Sequence, residues 1–457
     1  MSGTPLRAAV IGSGPAGFYV ADHLLSHPDP AVTVDLFERL PTPFGLVRYG
    51  VAPDHPKIKT VTRSFDKTAQ HPGFRFFGNV HVGQDLRLAD LRRHYHIVCF
   101  TTGAQTDRRM GIPGEDLARS HAATEFVGWY NGHPDYRDRE FDLSVERVAI
   151  VGVGNVALDV ARILCCTDEE LTQTDIADHA LDALRASRVR EVVLLGRRGA
   201  AQAAFTNVEV RELGEMAGAD VDVRSAELEG ASGTAGVDDD RLLAKKVEIL
   251  RELSTRERTG KPRLLSLRFL VSPVALTAGP DGKVGGVRLM RNALAQGADG
   301  GWRAEPTGQE ETLPAQLVFR SVGYHGVPLA DVPFDTRRGI VPNDHGRVLE
   351  GAAPVPGLYV GGWIKRGPSG VIGTNKADAA DTVAAIFADA AAGRLPAPAE
   401  PSPAAAEALV RERQPRVVTY DDWRTLDALE VAAGKPDGKP RRKMVTVGEM
   451  LGALAKP

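Results

Sequence analysis

The chain has 457 residues, 43% of them hydrophobic, enough to bury more than one core, and its 56 Lys and Arg against 59 Asp and Glu leave a net charge of -3. That balance excludes a protein built to coat nucleic acid or an anionic membrane, so any basic docking surface must be local. The three cysteines, Cys99, Cys165 and Cys166, form no CxxC and no spaced framework, which excludes a dithiol redox centre and a disulfide scaffold and points to a reducing, cytoplasmic compartment.

In chain order, LRAAVI reads as a buried strand, and its start by Ala8 leaves no room for a signal peptide. No apolar run reaches the roughly 20 residues of a membrane helix. Gly12, Gly14 and Gly17 follow as GxGxxG and open a helix. In that pattern the first glycine permits the turn, the second admits a pyrophosphate and the third lets helix and strand pack closely, while the helix N-terminus supplies N–H donors. A second strand, VTVDLFE, ends in Glu38, about 20 residues beyond the loop, where an acid can accept the ribose hydroxyls of an adenosine. HIVCFTTGA, residues 96–104, is a further strand.

The first copy returns as VAIVGVGNVALDVARIL at residues 148–164, with Gly152, Gly154 and, at the third position, Ala157. Here the next strand, VVLLG, ends in Gly196-Arg197-Arg198 instead of an acid. Guanidinium forks stay charged and bind phosphate oxygens through charge-assisted bonds worth about 1.5 to 3 kcal/mol each, so this strand end reads as a selector for the 2'-phosphate of NADP(H). The inserted segment CTDEELTQTDIADHALDALRAS delays the strand to about 40 residues after Gly152, so the usual spacing does not place the arginines.

Residues 228–240 read as an exposed loop leading into a charged helix. Leu264 to Val271, Pro273 to Thr277 and Val284 to Arg291 are expected strands, with GPDG turning a hairpin. LVFRSVGY and GLYVGGW are further strands, and KRGPSGVIGTNKADAADTVAAI is a glycine-rich loop running into a helix whose N-terminus can favour negative charge on a bound ring. Ala390 to Glu407 resembles a linker, and small helical pieces follow it. Two stretches, residues 241–263 with Arg241, Lys245, Lys246, Arg251, Arg256 and Arg258, and residues 434–443, are candidate basic docking patches. The class is α/β with two Rossmann-like dinucleotide-binding domains.

Five strings then become specific: LPTPFGLVRYGVAPDHPKIK, FRFFGNVHVG, GNVALDVARIL, GRRG and GWIKRGPSGVIGTNKADAADTV. Through them the chain resembles the adrenodoxin reductase type of ferredoxin–NADP reductase, including its actinobacterial members, from about residue 6 to 395. The resemblance implies an FAD domain of residues 1–108 and 323–396, an inserted NADP domain of residues 109–322, and a C-terminal extension, residues 397–457, packing on the FAD domain. It implies FAD contacts from Ala16, Glu38, Leu46, Val82, Trp363, Gly370, Val371 and Ile372 beside the first glycine loop. NADP(H) contacts would come from Asn155, Val156, Ala157, Arg197, Arg198 and Glu209 beside Gly154, with Gly370 touching it too. His55 and Glu212 match polar residues near nicotinamide and flavin and are the candidate catalytic residues, with no metal.

The activity implied is hydride transfer from NADPH to the flavin N5, followed by release of single electrons to a ferredoxin-type iron-sulfur protein, performed by a monomer without membrane insertion. Two other readings share the glycine loops. One is an electron-input subunit of a larger complex, of the glutamate synthase small-subunit kind, for which three cysteines are few. The other is a non-catalytic, nucleotide-sensing flavoprotein.

Overall fold

The computed structural model describes residues 5–228, 240–297 and 300–455. The chain divides into two units: Met1–Val51, His55–Thr106 and Tyr324–Pro457 form the first, and Ala52–Asp54 with Asp107–Gly323 the second.

The first unit is built on a seven-stranded sheet in the order Asn343–Asp344, Arg347–Glu350, Ala353–Val360, Ile97–Phe100, Leu6–Ile11, Val32–Phe37, Phe74–Phe77. The last five run parallel, and Ile11 at the end of the central strand pairs with Phe37 on one side and Phe100 on the other. Strands covered on both faces carry near-continuous apolar runs, as in AAVI and IVCF, whereas VTVDLF carries Thr33 and a buried Asp35 that pairs with Arg7 and Arg75. Helix Pro15–Leu25 starts with proline in its first turn and buries Phe18, Val20, Ala21 and Leu24. The same apolar cluster contains Val383 and Ile386 of helix Thr374–Ala391.

The tail completes this core. Helix Pro403–Arg413 is capped by Ser402, whose side chain accepts from Ala405 N, so part of the expected linker is helical. Ala and Pro richness concealed a signature that was present: serine at the N-cap and proline at the first helical position. Helix Tyr420–Gly434 buries Trp423 edge-on to Phe44 at 5.7 Å, and Leu426 and Met450 are fully buried in the cluster that holds Phe18 and Phe65. Arg48 and Glu430, both buried, form a two-pronged ion pair at 2.9 and 2.5 Å.

The second unit carries a six-stranded parallel sheet in the order Ser120–Ala122, Leu317–Arg320, Arg147–Val151, Glu191–Leu195, Arg263–Arg268, Ala219–Val223. The inserted segment forms helices Asp168–Thr172 and Asp178–Arg185. A three-stranded antiparallel sheet follows, Val271–Ala278, Val284–Gln296 and Trp302–Pro314. Two expectations are corrected here. The single strand read over Leu264 to Val271 is two strands in different sheets, broken where Leu270 takes a left-handed φ of 58°. The hairpin has a third strand, Trp302–Pro314, with no buried residue along it, so no apolar pattern announced it. The expected loop lies outside the described residues save its ends, and the charged helix after it is Asp240–Ser254.

All three cysteines are buried and unpaired; burial pushes the Cys99 and Cys165 thiols up to about 12 and Cys166 upward as well, which makes them inert. Among the described residues no helix is long and apolar enough to cross a membrane.

Candidate functional site

In the first unit the glycine loop links the central strand to its helix. Gly12 has φ 103°, donates to Phe37 O at 2.8 Å, and would put a Cβ 2.7 Å from Thr101 O. A Cβ on Gly17 would lie 2.0 Å from Gly12 O, whereas one on Gly14 would meet nothing within 4 Å. Gly12 and Gly17 are thus required by the chain's own packing, and Gly14 is not; the room before it is what a pyrophosphate needs. No acidic residue in the first turn opposes an anion at the helix N-terminus.

Glu38 stands beside this loop. Its Oε2 accepts from Ser13 N at 3.1 Å and Ser13 Oγ at 2.7 Å, and its Oε1 accepts from Leu40 N at 3.0 Å. A carboxylate offers about four acceptor positions, so one on Oε1 is left for a ribose hydroxyl. Ser13, fully buried, and Thr101, whose hydroxyl donates to Ile11 O and Gly12 O at 3.0 and 2.8 Å, are supports that the sequence reading missed. Phe44 N donates to Ser13 O at 3.0 Å, and a Cβ on Gly45 would come within 3.0 Å of Gly14 Cα, so the turn carrying half-buried Leu46 lies on the loop.

Other expected residues converge on the same place. Ala16 is so close to Gly362 that a Cβ there would lie 2.5 Å from its own, and Gly362 N donates to Asp378 Oδ2 at 2.5 Å. Trp363 is half-buried, donates from Nε1 to Ser369 O at 3.2 Å, and has its ring 5.2 Å from that of Tyr324. Gly370 is left-handed with φ 79°, Val371 is 58% exposed despite its apolar side chain, and Ile372 packs on the main cluster just before helix Thr374–Ala391. Val82 packs on the cluster that holds Ile11 and Phe37, the last residues of the first two strands.

The second unit repeats the device. Gly152, φ 133°, donates to Leu195 O at 3.0 Å and would put a Cβ 2.2 Å from Ser321 O, while a Cβ on Gly154 would meet nothing within 4 Å. Ala157, at the third position, is fully buried, so this copy accommodates the methyl group that the first cannot. Asn155 Oδ1 accepts from Thr206 N at 3.1 Å, and Ala204 N and Phe205 N donate to Val153 O at 2.9 and 3.2 Å, which ties the loop after the arginines to the glycine loop beside half-buried Val156. Arg197 is exposed and Arg198 half-buried, and neither guanidinium has an ion-pair or hydrogen-bond partner among the described residues. Two uncommitted cations at the end of a buried strand fit a phosphate.

Glu209 is buried on helix Asn207–Leu213, and its Oε2 accepts from Arg162 Nη1 at 3.1 Å. Arg162 also reaches Asp54 at 2.6 and 3.0 Å and Asp159 at 2.7 Å. Burial opposes its charge, but the carboxylates of Asp54, Asp159 and Glu209 outweigh it and hold the guanidinium firmly protonated. The Asp159–Arg162 pair at helical spacing was visible in sequence; Asp54, 108 residues from Arg162, was not. Glu212, half-buried, follows on the same helix. His55 belongs to the first unit, where it is half-buried at the N-cap of Pro56–Lys59.

Several cations of the two candidate docking patches are committed within the chain, while Arg241, Arg251, Arg256 and Arg258 are exposed. Lys246 is buried, donates from Nζ to Ala203 O at 2.5 Å over the Phe205 ring, and is pushed below its usual range by burial. Lys245 pairs with Glu248, Arg256 bonds Gly214 O and Arg258 faces Asp222. In the other patch Lys439 and Lys443 are buried, Arg441 pairs with Asp427 and Glu430, and Arg442 with Asp437. Charge runs in sequence do not reveal such internal partners.

Two open-centred glycine loops, one beside a strand-end acid and the other beside two uncommitted arginines, define a flavoprotein-reductase class of double dinucleotide-binding proteins. No family model matches the chain. It is 46% identical over 455 residues to the NADPH-ferredoxin reductase FprA of Mycobacterium tuberculosis, covering 98% of both chains. It is 45% identical to the mitochondrial NADPH:adrenodoxin oxidoreductase of Homo sapiens, covering 98% of this chain and 92% of that protein. The structure of Mycobacterium tuberculosis FprA in complex with NADPH superposes with a TM-score of 0.92 at 46% identity, over 99% of this chain and all of that one. The chain belongs to the adrenodoxin reductase-type ferredoxin–NADP reductase family.

Proposed function

We propose that this protein is an FAD-dependent NADPH:ferredoxin oxidoreductase. The observation that carries the reading is the contrast between the two strand ends: Glu38 with one acceptor position left, and Arg197-Arg198 with no acid to satisfy them. An acid there favours a free ribose and repels a 2'-phosphate; arginines do the reverse. FAD, when bound, supplies the conversion of a hydride into two single electrons for an iron-sulfur acceptor.

The chain's own work is binding and orientation. Gly14 and the N-terminus of Pro15–Leu25 receive the FAD pyrophosphate, Glu38 a ribose hydroxyl, and Ala16, Leu46, Val82, Trp363 and Gly370-Val371-Ile372 the rest of FAD. Gly154, Asn155, Val156 and Ala157 receive the NADPH pyrophosphate, and Arg197 and Arg198 its 2'-phosphate. Glu209 and Gly370 complete the nicotinamide nucleotide's contacts, and His55 and Glu212 act at the reacting ends. Inert buried thiols fit a flavoprotein that needs no dithiol, and a reducing compartment such as the cytoplasm.

The test is reduction of cytochrome c through a ferredoxin, with NADPH and NADH compared in the native protein and in Arg197→Ala/Arg198→Ala. Each lost phosphate contact lowers the NADPH-to-NADH ratio of kcat/KM by about 10-fold or more. A native protein indifferent to the 2'-phosphate, or one needing no ferredoxin-type carrier, overturns the reading.

A further inference from the structure

We propose that Asn292 is a specificity-determining positioning residue, the side chain that fixes the Arg197-Arg198 fork for a 2'-phosphorylated nucleotide; this rests on the NADP(H) reading of that fork.

The fork's backbone is clamped while its side chains are free. Gly196 O accepts from Val271 N at 3.0 Å, Arg197 O from Asn292 Nδ2 at 2.8 Å, and Arg198 O from Leu270 N at 3.1 Å. Three consecutive carbonyls are therefore held, two by main-chain donors and the middle one by a single side chain. That side chain is itself fixed. Asn292 is 8% exposed, its Nδ2 donates also to Ser272 Oγ at 2.8 Å, and its N donates to Leu270 O at 2.8 Å. Because a carbonyl can only accept, Arg197 O sets which way round the amide sits.

Asn292 sits at a break in register between its strand and the next. Along Val284–Gln296 the buried residues are Val284, Gly286, Val287 and Leu289, and then Asn292, which follows a register shift between Met290 and Asn292. Across that shift Met290 to Asn292 faces Glu310 to Pro306, so the extra residues lie on the neighbouring strand Trp302–Pro314. Leu270, which holds the next carbonyl, is left-handed with φ 58°, a conformation unusual for leucine. An unusual turn at Leu270 and the buried Asn292 side chain thus both serve the same three peptides. Fixed peptides shorten the search of two long, flexible side chains for one phosphate, since ordering cost is met in advance.

The test uses the purified full chain and two probes, adenosine 2',5'-bisphosphate and 5'-AMP, titrated calorimetrically into the native protein and into Asn292→Ala. Loss of one clamp is expected to weaken the bisphosphate about 10-fold and 5'-AMP less than about 2-fold, with the NADPH-to-NADH ratio of kcat/KM falling in step. Asn292→Asp, equal in size but unable to donate to Arg197 O, must likewise weaken the bisphosphate more than 5'-AMP. Equal weakening of both probes, or no change in either, overturns the proposal. A native protein that binds the two probes equally overturns the NADP(H) reading beneath it, whatever the variants do.

Discussion

At the scale of the residue, neighbouring glycines face opposite surroundings. Gly17 is walled in, with Gly12 O only 2.0 Å from where its Cβ would sit, whereas Gly14 has extended backbone at φ -73° that any residue can adopt and open space before it. Gly17→Ala therefore strains the fold itself and is expected to lower stability by about 1 to 3 kcal/mol, flavin present or not. Gly14→Ala leaves the thermal midpoint of the flavin-free protein unchanged and weakens FAD about 10-fold or more. Thermal unfolding and flavin titration of both variants separate the two effects; a Gly14→Ala protein that is unstable without flavin, or binds flavin normally, contradicts the assignment. Glu38, Arg197 and Arg198 were legible because each ends a strand that the apolar pattern marks. Arg162 with Asp54, 108 residues apart, and Asn292 with Arg197, 95 apart, were not, since only the fold brings such partners together.

At the scale of the element, the tail helix Tyr420–Gly434 is held by the same physics as the sheet it covers. Trp423 and Leu426 fill the core, and Glu430, 1% exposed, meets Arg48, Arg441 and the N–H of Met444. Removing one partner of a buried ion pair leaves an uncompensated charge, so Glu430→Ala is expected to cost about 3 to 5 kcal/mol, read from denaturant unfolding. The pair also predicts a pH dependence. Burial pushes the Glu430 carboxyl up, but Arg48 outweighs it and the net direction is below the usual 4.5. Its contribution is full above that value and is lost as the pH falls beneath it, so Glu430→Gln should flatten the acid limb of the stability profile. An unchanged acid limb contradicts this. Sequence showed the glycine loops and parallel strands because their signals are local and apolar. The residues alone assigned the tail no role, its packing being implied only by the family resemblance, and they hid the strand Trp302–Pro314, which buries no residue.

At the scale of the whole molecule, one chain carries two copies of a nucleotide-binding device that differ where selectivity is decided. The central claim is that electrons enter from a 2'-phosphorylated nicotinamide and leave through a bound flavin. The most direct measurement is an anaerobic titration of the purified protein with NADPH, and separately NADH, following the visible flavin spectrum. The account predicts a yellow protein bleached by about one equivalent of NADPH, and by NADH only at far higher concentration. A colourless protein that does not take up FAD, or a yellow one that NADPH leaves unbleached or that NADH bleaches equally well, contradicts it.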